Sequence, residues 1–327
     1  MSCRAHVDCY KKMRNVPISH RAKLVVCFAT VYLVWGSTYL VASIGVHALP
    51  PFLFGGIRFV CAGILLGLTA LALGRRFELD ATEWRHMFVV AVGNVLIANG
   101  ATNVAMQHVA SNQTAILNAS AALWIALLAT RGRRAHALDR RTLIGLIIGF
   151  LGTVLIIWPR GSARESHIGY QLLILVAVFA WSMSTVYIRN AHSKLDVLSF
   201  TAVQMLLGGI MLTGLGFATG EAALWHWSKP GLIAMAYLTL ASSCLAYTAF
   251  AWLAKNTTPA TVGTYSYVNP AIAAMLGWWI LDEHLGANQL AGMAIMFAGV
   301  ALVNWPQKEV KRLDEDQQKD PSTAGCG

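Results

Sequence analysis

The sequence predicts an all-α polytopic membrane protein of about ten transmembrane helices, arranged as two inverted five-helix repeats. Three observations lead there. Of 327 residues, 56% are apolar and only 12% are charged, and the mean hydropathy is +0.55. An ordinary soluble domain carries about 25% charge, so this chain has too little polar surface to cover a water-soluble core, and too much apolar character for disorder. The apolar residues gather into runs of roughly 20, the length that crosses a hydrocarbon layer of about 30 Å. Finally, the chain resembles itself, with an odd number of runs in each copy.

Residues 1–23 form a basic, polar arm. The first run, 24–44, is too long for a signal-peptide core and is followed by no A-x-A-like cleavage site, so it is expected to remain as an anchor. The second, 51–73, is apolar apart from Arg58 and ends just before Arg75 and Arg76. Runs at 87–106, 111–130 and 142–158 complete a first block, and a linker at 160–168 follows. The second block holds runs at 169–190, 196–217, 231–254, 259–281 and 289–305. Most connections are short, so neighbouring spans run antiparallel. A barrel strand would alternate and stop near ~10 residues, so only helices satisfy their own backbone in lipid at this length. The expected units are repeats at 24–159 and 169–306 and a charged, solvated tail at 307–327.

The net charge of +10 does not describe a nucleic-acid surface. Of the 25 Lys and Arg residues, 21 fall on one side of the expected spans, three (Arg160, Arg164, Lys229) on the other, and Arg58 alone within a span. Lys and Arg mark the cytoplasmic side, so both termini are expected there. No basic stripe interleaved with aromatics is present, so no nucleic-acid partner is expected. The six cysteines form no C-x-x-C pair, which argues against a zinc site or disulfide framework.

Residues 138–159 align without a gap on 285–306 at a shift of 147, matching at nine of 22 positions, among them Gly145/Gly292, Phe150/Phe297, Gly152/Gly299, Trp158/Trp305 and Pro159/Pro306. At a shift of 146, Trp35 meets Trp181, Arg58 meets Gln204 and Gly63 meets Gly209. With five spans per copy, the second must enter the bilayer upside down. The loops agree: RGRRAHALDRR follows the fourth span and DEHLGAN, without Lys or Arg, the ninth. Inverted repeats characterise secondary transporters, whose solute site lies near the midplane between the halves. A passive channel, or a membrane scaffold whose centre is too tightly packed for a solute, are the alternatives.

The segments VYLVWGSTYL, LPPFLFGGIRFVCAG and VGTYSYVNPAIAAMLGWWILDEHLGANQLAGMAIMFAGVALV resemble the drug/metabolite transporter superfamily, EamA-type branch. The resemblance covers nearly all of residues 24–305. It implies a bacterial plasma-membrane protein that exports or exchanges amino acids, other metabolites or drugs. Two departures stand out. A Pro-Leu-Trp in the family's fourth span is Ala122-Leu123-Trp124 here, whereas Pro270 is kept in the ninth; the fourth helix is therefore expected to be straighter than the ninth, with a helix break at Pro270. The acidic residue after the fourth span is missing, and Asp282-Glu283 remains after the ninth.

Candidate solute-contacting residues follow from depth and spacing. Arg58 sits about two turns from the outer end of its span, roughly 11 Å deep. A cation there is costly and marks a functional site, unless it snorkels or bonds backbone carbonyls; facing a cavity, it would favour a carboxylate. Ser37 lies at a similar depth. Trp35 and Trp181 form a matched mid-span pair that flanks a cavity or simply packs. Polar residues recur at helical spacing: Thr261, Tyr265 and Asn269; Asn99 and Asn103; Thr114 and Asn118; Ser243 and Tyr247. With Gln204, this set is expected to supply the pocket, although single members serve equally well as inter-helix hydrogen bonds. The Gly63/Gly67 and Gly145/Gly149 spacings predict close helix packing. All ten histidines are expected outside span interiors and no carboxylate lies mid-span. With no P-loop motif, the chain offers no candidate for catalysis, cofactor or metal binding, and its expected partners are the bilayer and a small-molecule substrate.

Overall fold

The computed structural model describes residues 20–128, 140–158, 168–191, 193–257 and 264–304. Among them there is helix and no strand. The elements are α1 (His20–Ala48), α2 (Pro51–Ala72), α3 (Ala81–Ala105), α4 (Ser111–Ala119), α5 (Ala121–Leu128), α6 (Arg140–Ile157), α7 (Ile168–Asn190), α8 (Val197–Ala218), α9, α10 (Tyr265–Leu281) and α11 (Ala287–Asn304). Helix α9 opens as Lys229–Tyr237, continues as a π-helix over Leu238–Ala246 and closes as Tyr247–Asn256. Seven helices (α1, α2, α3, α6, α7, α8 and α9) are long and apolar enough to cross a bilayer, and Val268–Leu281 and Ala287–Val303 are shorter apolar stretches. Large apolar side chains line the outer faces, among them Phe217, Ile144, Leu151 and Trp279. Surfaces of that kind suit lipid, and the architecture is that of a polytopic membrane protein.

Two helix pairs set the frame, and both depend on glycine. Where α2 crosses α8, a Cβ at Gly63 would lie 2.7 Å from the Leu206 amide nitrogen, and one at Gly209 would lie 2.6 Å from that of Val60. At the crossing of α6 and α11, a Cβ at Gly152 or Gly299 would fall into the opposite backbone. Absence of a side chain therefore lets the backbones touch, the packing that lipid, itself apolar, cannot otherwise drive. Gly67 is different: its Cβ would meet only the Ala202 methyl, at 3.9 Å. Around this frame, α1 packs on α9 and α10, and α7 packs on α3 and on α4–α5.

The expected helix break is not at Pro270. Helix α10 runs through Pro270, which lies six residues into the described helix. The fourth segment is the interrupted one, at Ser120 between α4 and α5. There the ladder tightens: the Ser120 amide reaches the Leu117 carbonyl at 3.1 Å, and the Ser120 hydroxyl donates to the same oxygen at 2.6 Å. A serine bonding back onto its own helix competes with the regular ladder, an effect the missing proline gives no hint of. The histidine expectation also needs correction. Helix α3 begins at Ala81, so His86 falls inside it, 7% exposed, with Nδ1 2.9 Å from the Tyr187 hydroxyl.

Carboxylates finish several helix ends. Asp80 accepts the Glu83 amide at 2.8 Å, and that bond and the Lys194 ammonium hold the Asp80 carboxyl below its ordinary range. The Glu83 carboxylate takes the Ser193 hydroxyl (2.6 Å) and the Lys194 amide (2.8 Å), just before α8. Glu221 does the corresponding work at the start of α2, accepting the amides of Phe52 (3.1 Å) and Leu53 (2.8 Å). Asp80 and Glu221 thereby satisfy donors that a helix start leaves without partners, and Glu83 pins the segment that leads into α8.

Candidate functional site

Two π-helical stretches carry residues of the candidate site. One is Ala91–Asn99 within α3, the other Leu238–Ala246 within α9. Both are nine residues long and they are offset by 147, the shift at which the C-terminal spans of the two blocks align. A π-helix closes its bonds at i→i+5, is rare, and is frequently found at functional sites. Its wider turn changes which side chains share a face. Asn99 reaches back five residues, its Nδ2 donating to the Asn94 carbonyl at 2.7 Å. Ser242 and Tyr247, also five apart, both meet Trp35.

The first group of residues surrounds Arg58. This side chain is 5% exposed, its Nη2 donates to Asn99 Oδ1 at 3.3 Å, and its guanidinium carbon lies 4.1 Å from the Phe59 ring centroid. The Thr239 hydroxyl, from the second π-stretch, approaches the Arg58 carbonyl at 3.5 Å. Arg58 therefore does not reach the surface; it is held inside by an amide and a ring face, a contact that desolvation strengthens.

The second group is aromatic. Trp35 lies within ring contact of Phe250 (5.1 Å between centroids), Tyr265 (5.4 Å) and Tyr247 (6.0 Å), and its Nε1 donates to the Ser242 carbonyl at 3.3 Å. Thr38 donates to the Ser242 hydroxyl at 3.1 Å, and Ser37 shares a 2.7 Å hydrogen bond with the Tyr237 hydroxyl. The side chains of Gln204 and Thr201 lie at the Tyr247 hydroxyl. Asn269 is buried on α10 one turn beyond Tyr265.

The structure thus brings together Trp35, Ser37, Tyr247, Tyr265 and Gln204, and connects Arg58 to Asn99. It does not bring in Trp181, Asn118 or Asn103. Trp181 is half-buried on α7 outside the ring cluster, its carbonyl taking the Thr185 hydroxyl at 2.9 Å. Asn118 donates to the Thr114 carbonyl at 2.9 Å, and Asn103 to the Pro51 carbonyl at 3.2 Å. Thr261 lies outside the described residues. Asn94, Tyr237, Thr239, Ser242 and Phe250 belong to the site without having been expected. A pattern built on i, i+4 spacing selects Ser243 and Asn103 where the π-turn presents Ser242 and Asn94.

Four buried polar atoms at this centre have no partner among the described residues: Arg58 Nε, Asn94 Oδ1, Gln204 Oε1 and Asn269 Oδ1. A buried polar atom left unpaired costs about 1–3 kcal/mol. The described residues contain no group of three or more His, Cys, Asp or Glu that could hold a metal ion.

Comparisons with known proteins agree with one another. The model of the EamA-like transporter family matches the chain twice, at residues 22–158 and 168–305. The chain is 30% identical over 279 residues to "Uncharacterized inner membrane transporter YedA" of Escherichia coli (strain K12), covering 84% of this chain and 88% of that protein. It is 25% identical over 307 residues to "Uncharacterized transporter YvbV" of Bacillus subtilis (strain 168), covering 91% and 96% of the two chains. Among solved structures, one titled "Crystal structure of protein" superposes with a TM-score of 0.62 at 18% identity, covering 86% of this chain and 97% of its own. At that identity the likeness is one of fold.

Proposed function

Because the chain belongs to the EamA-like transporter family, and is therefore an integral membrane transporter, we propose that it is a secondary transporter working by alternating access. It exports or exchanges a small metabolite, an amino acid or related compound, or a drug. The ten expected spans form two inverted five-helix repeats at 24–159 and 169–306, with both termini in the cytoplasm. The paired π-stretches at one shift support this layout. So does the packing: α1 on α9 and α10 corresponds to α7 on α3 and α4–α5 when each helix is exchanged for its repeat partner. The distribution of Lys and Arg supports the orientation.

The unpaired atoms carry the solute reading. Arg58 Nε and Asn94 Oδ1 come from one half, Gln204 Oε1 and Asn269 Oδ1 from the other, and all four are buried at the centre. Their cost is recovered when a polar solute enters between the halves. The tight packing around Trp35 fits a closed state of a carrier rather than a continuous pore. Purified protein in liposomes without ATP should move at least one member of a metabolite panel down its gradient, at carrier rates. Flux across the whole panel equal to empty liposomes, with folding verified, would refute the reading; large currents in planar bilayers would replace it with a channel.

A further inference from the structure

One side chain holds the turn between α10 and α11 against the start of α4. Asp282 takes left-handed backbone at φ 53°, which ends α10, and the Glu283 amide donates to the Gly277 carbonyl at 3.0 Å. The carboxylate then faces α4. Glu283 Oε1 accepts the Ser111 amide at 2.7 Å, and Oε2 accepts the Ser111 hydroxyl at 2.9 Å and the Asn112 amide at 3.0 Å. Gly277 completes the cradle, since a Cβ there would overlap Glu283 Oε2.

Two other carboxylates also join the two halves. Glu83 ties α3 to the segment before α8, and Glu221 ties the segment before α9 to the start of α2. At the shift of 147, Glu283 corresponds to His136, which lies outside the described residues. The α10–α11 turn, expected on the non-cytoplasmic face, carries the Glu283 tie.

The segments that Glu283 joins also border a pocket of about 10 Å³, room for a single water. Gln113 of α4, Gln171 of α7 and Asn288 and Gln289 of α11 line it. Asn112, Gln113 and Gln171 are all at least nine-tenths buried, yet Asn112 Nδ2 and Oδ1, Gln113 Nε2 and Gln171 Oε1 have no partner among the described residues. Buried amides are normally paired. A cleft opening at this point would hydrate all of these atoms at once, offsetting the bonds lost at Glu283.

We infer that Glu283 is the latch of the gate at this face: the path to solvent opens between α4 and the α10–α11 turn when its three hydrogen bonds are released. Glu283 is a positioning residue, acting on which face is open and not on the solute. The inference rests on the alternating-access reading, but its test needs no solute. In full-length protein freed of its native cysteines, Asn288→Cys reports on the pocket through its rate of reaction with a membrane-impermeant maleimide in whole cells. Glu283→Ala and Gly277→Ala should each speed that reaction at least tenfold, and Glu283→Gln by less. Leu123→Cys, fully buried beside α6, should stay unreactive throughout. An unchanged rate at Asn288→Cys overturns the latch, and so does labelling of Leu123→Cys in the Glu283→Ala protein, which signals lost folding in place of an opened gate. Accelerated labelling with a silent transport panel would remove the solute reading and leave the latch standing.

Discussion

Replacing Arg58 by Gln should lower the flux of carboxylate-bearing solutes by roughly 10- to 150-fold while leaving neutral solutes much less affected. The magnitude is that of one charged hydrogen bond, about 1.5–3 kcal/mol, with each 1.4 kcal/mol worth tenfold. Arg58 is 5% exposed, so little water screens it, and Nε has no partner with which to satisfy its second donor direction. A bound carboxylate would supply one, in the fork geometry that favours arginine. Glutamine is the conservative choice because it stands at the equivalent place in the other half, as Gln204, and can still hydrogen-bond Asn99. Flux measured on reconstituted protein for matched anionic and neutral solutes decides the matter. Equal loss for both classes would return Arg58 to a role in folding, through Asn99, Phe59 and the backbone contact from Thr239.

Gly209→Leu should abolish the folded protein. A Cβ at Gly209 would sit 2.6 Å from the Val60 amide nitrogen and 2.9 Å from the Gly56 carbonyl oxygen, both backbone atoms of α2 that have nowhere to move. Gly209→Ala already forces the helices apart and is expected to cost about 1–3 kcal/mol; leucine adds three carbons to the same place. The consequence reaches the centre, because α2 carries Arg58 and α8 carries Gln204. Gly214, two turns or less along the same helix, is the control, since its Cβ would meet nothing within 4 Å. Gly214→Ala should leave stability unchanged or slightly raised through helix propensity. Size-exclusion profiles and melting midpoints in detergent report both outcomes. A monodisperse Gly209→Leu protein with an unshifted midpoint would show that α2 and α8 do not meet as described.

Much of this frame is written in the chain itself. Runs of apolar residues announce the helices because lipid demands about 20 of them, and the Gly63 and Gly145 spacings announce two crossings because only a missing side chain permits that approach. Trp35, Arg58, Gln204 and Tyr265 stand out because polar or amphipathic groups in mid-span are expensive. The π-stretches are silent by contrast. AVGNVLIAN and LTLASSCLA differ at every aligned position, and nothing in either dictates an i→i+5 ladder. Every face read at i, i+4 spacing therefore slips by one residue where it crosses them, and Asn94 and Ser242 go unseen. The glutamates were hidden for another reason. Glu83, Glu221 and Glu283 lie beside helix ends where a carboxylate is ordinarily solvated, and only the folded chain brings unpaired amides to them. Ser120 and Pro270 show the limit of residue type as a guide, since the serine breaks its helix and the proline does not.

The central claim is that the two halves lie in the membrane with opposite orientation. Single cysteines at His284, exposed in the α10–α11 turn, and at His136, in the basic segment RGRRAHALDRR, test it directly with an impermeant maleimide. Intact cells should label His284→Cys at once and His136→Cys only after permeabilisation. Labelling of both from the same face of the membrane would contradict the inverted arrangement.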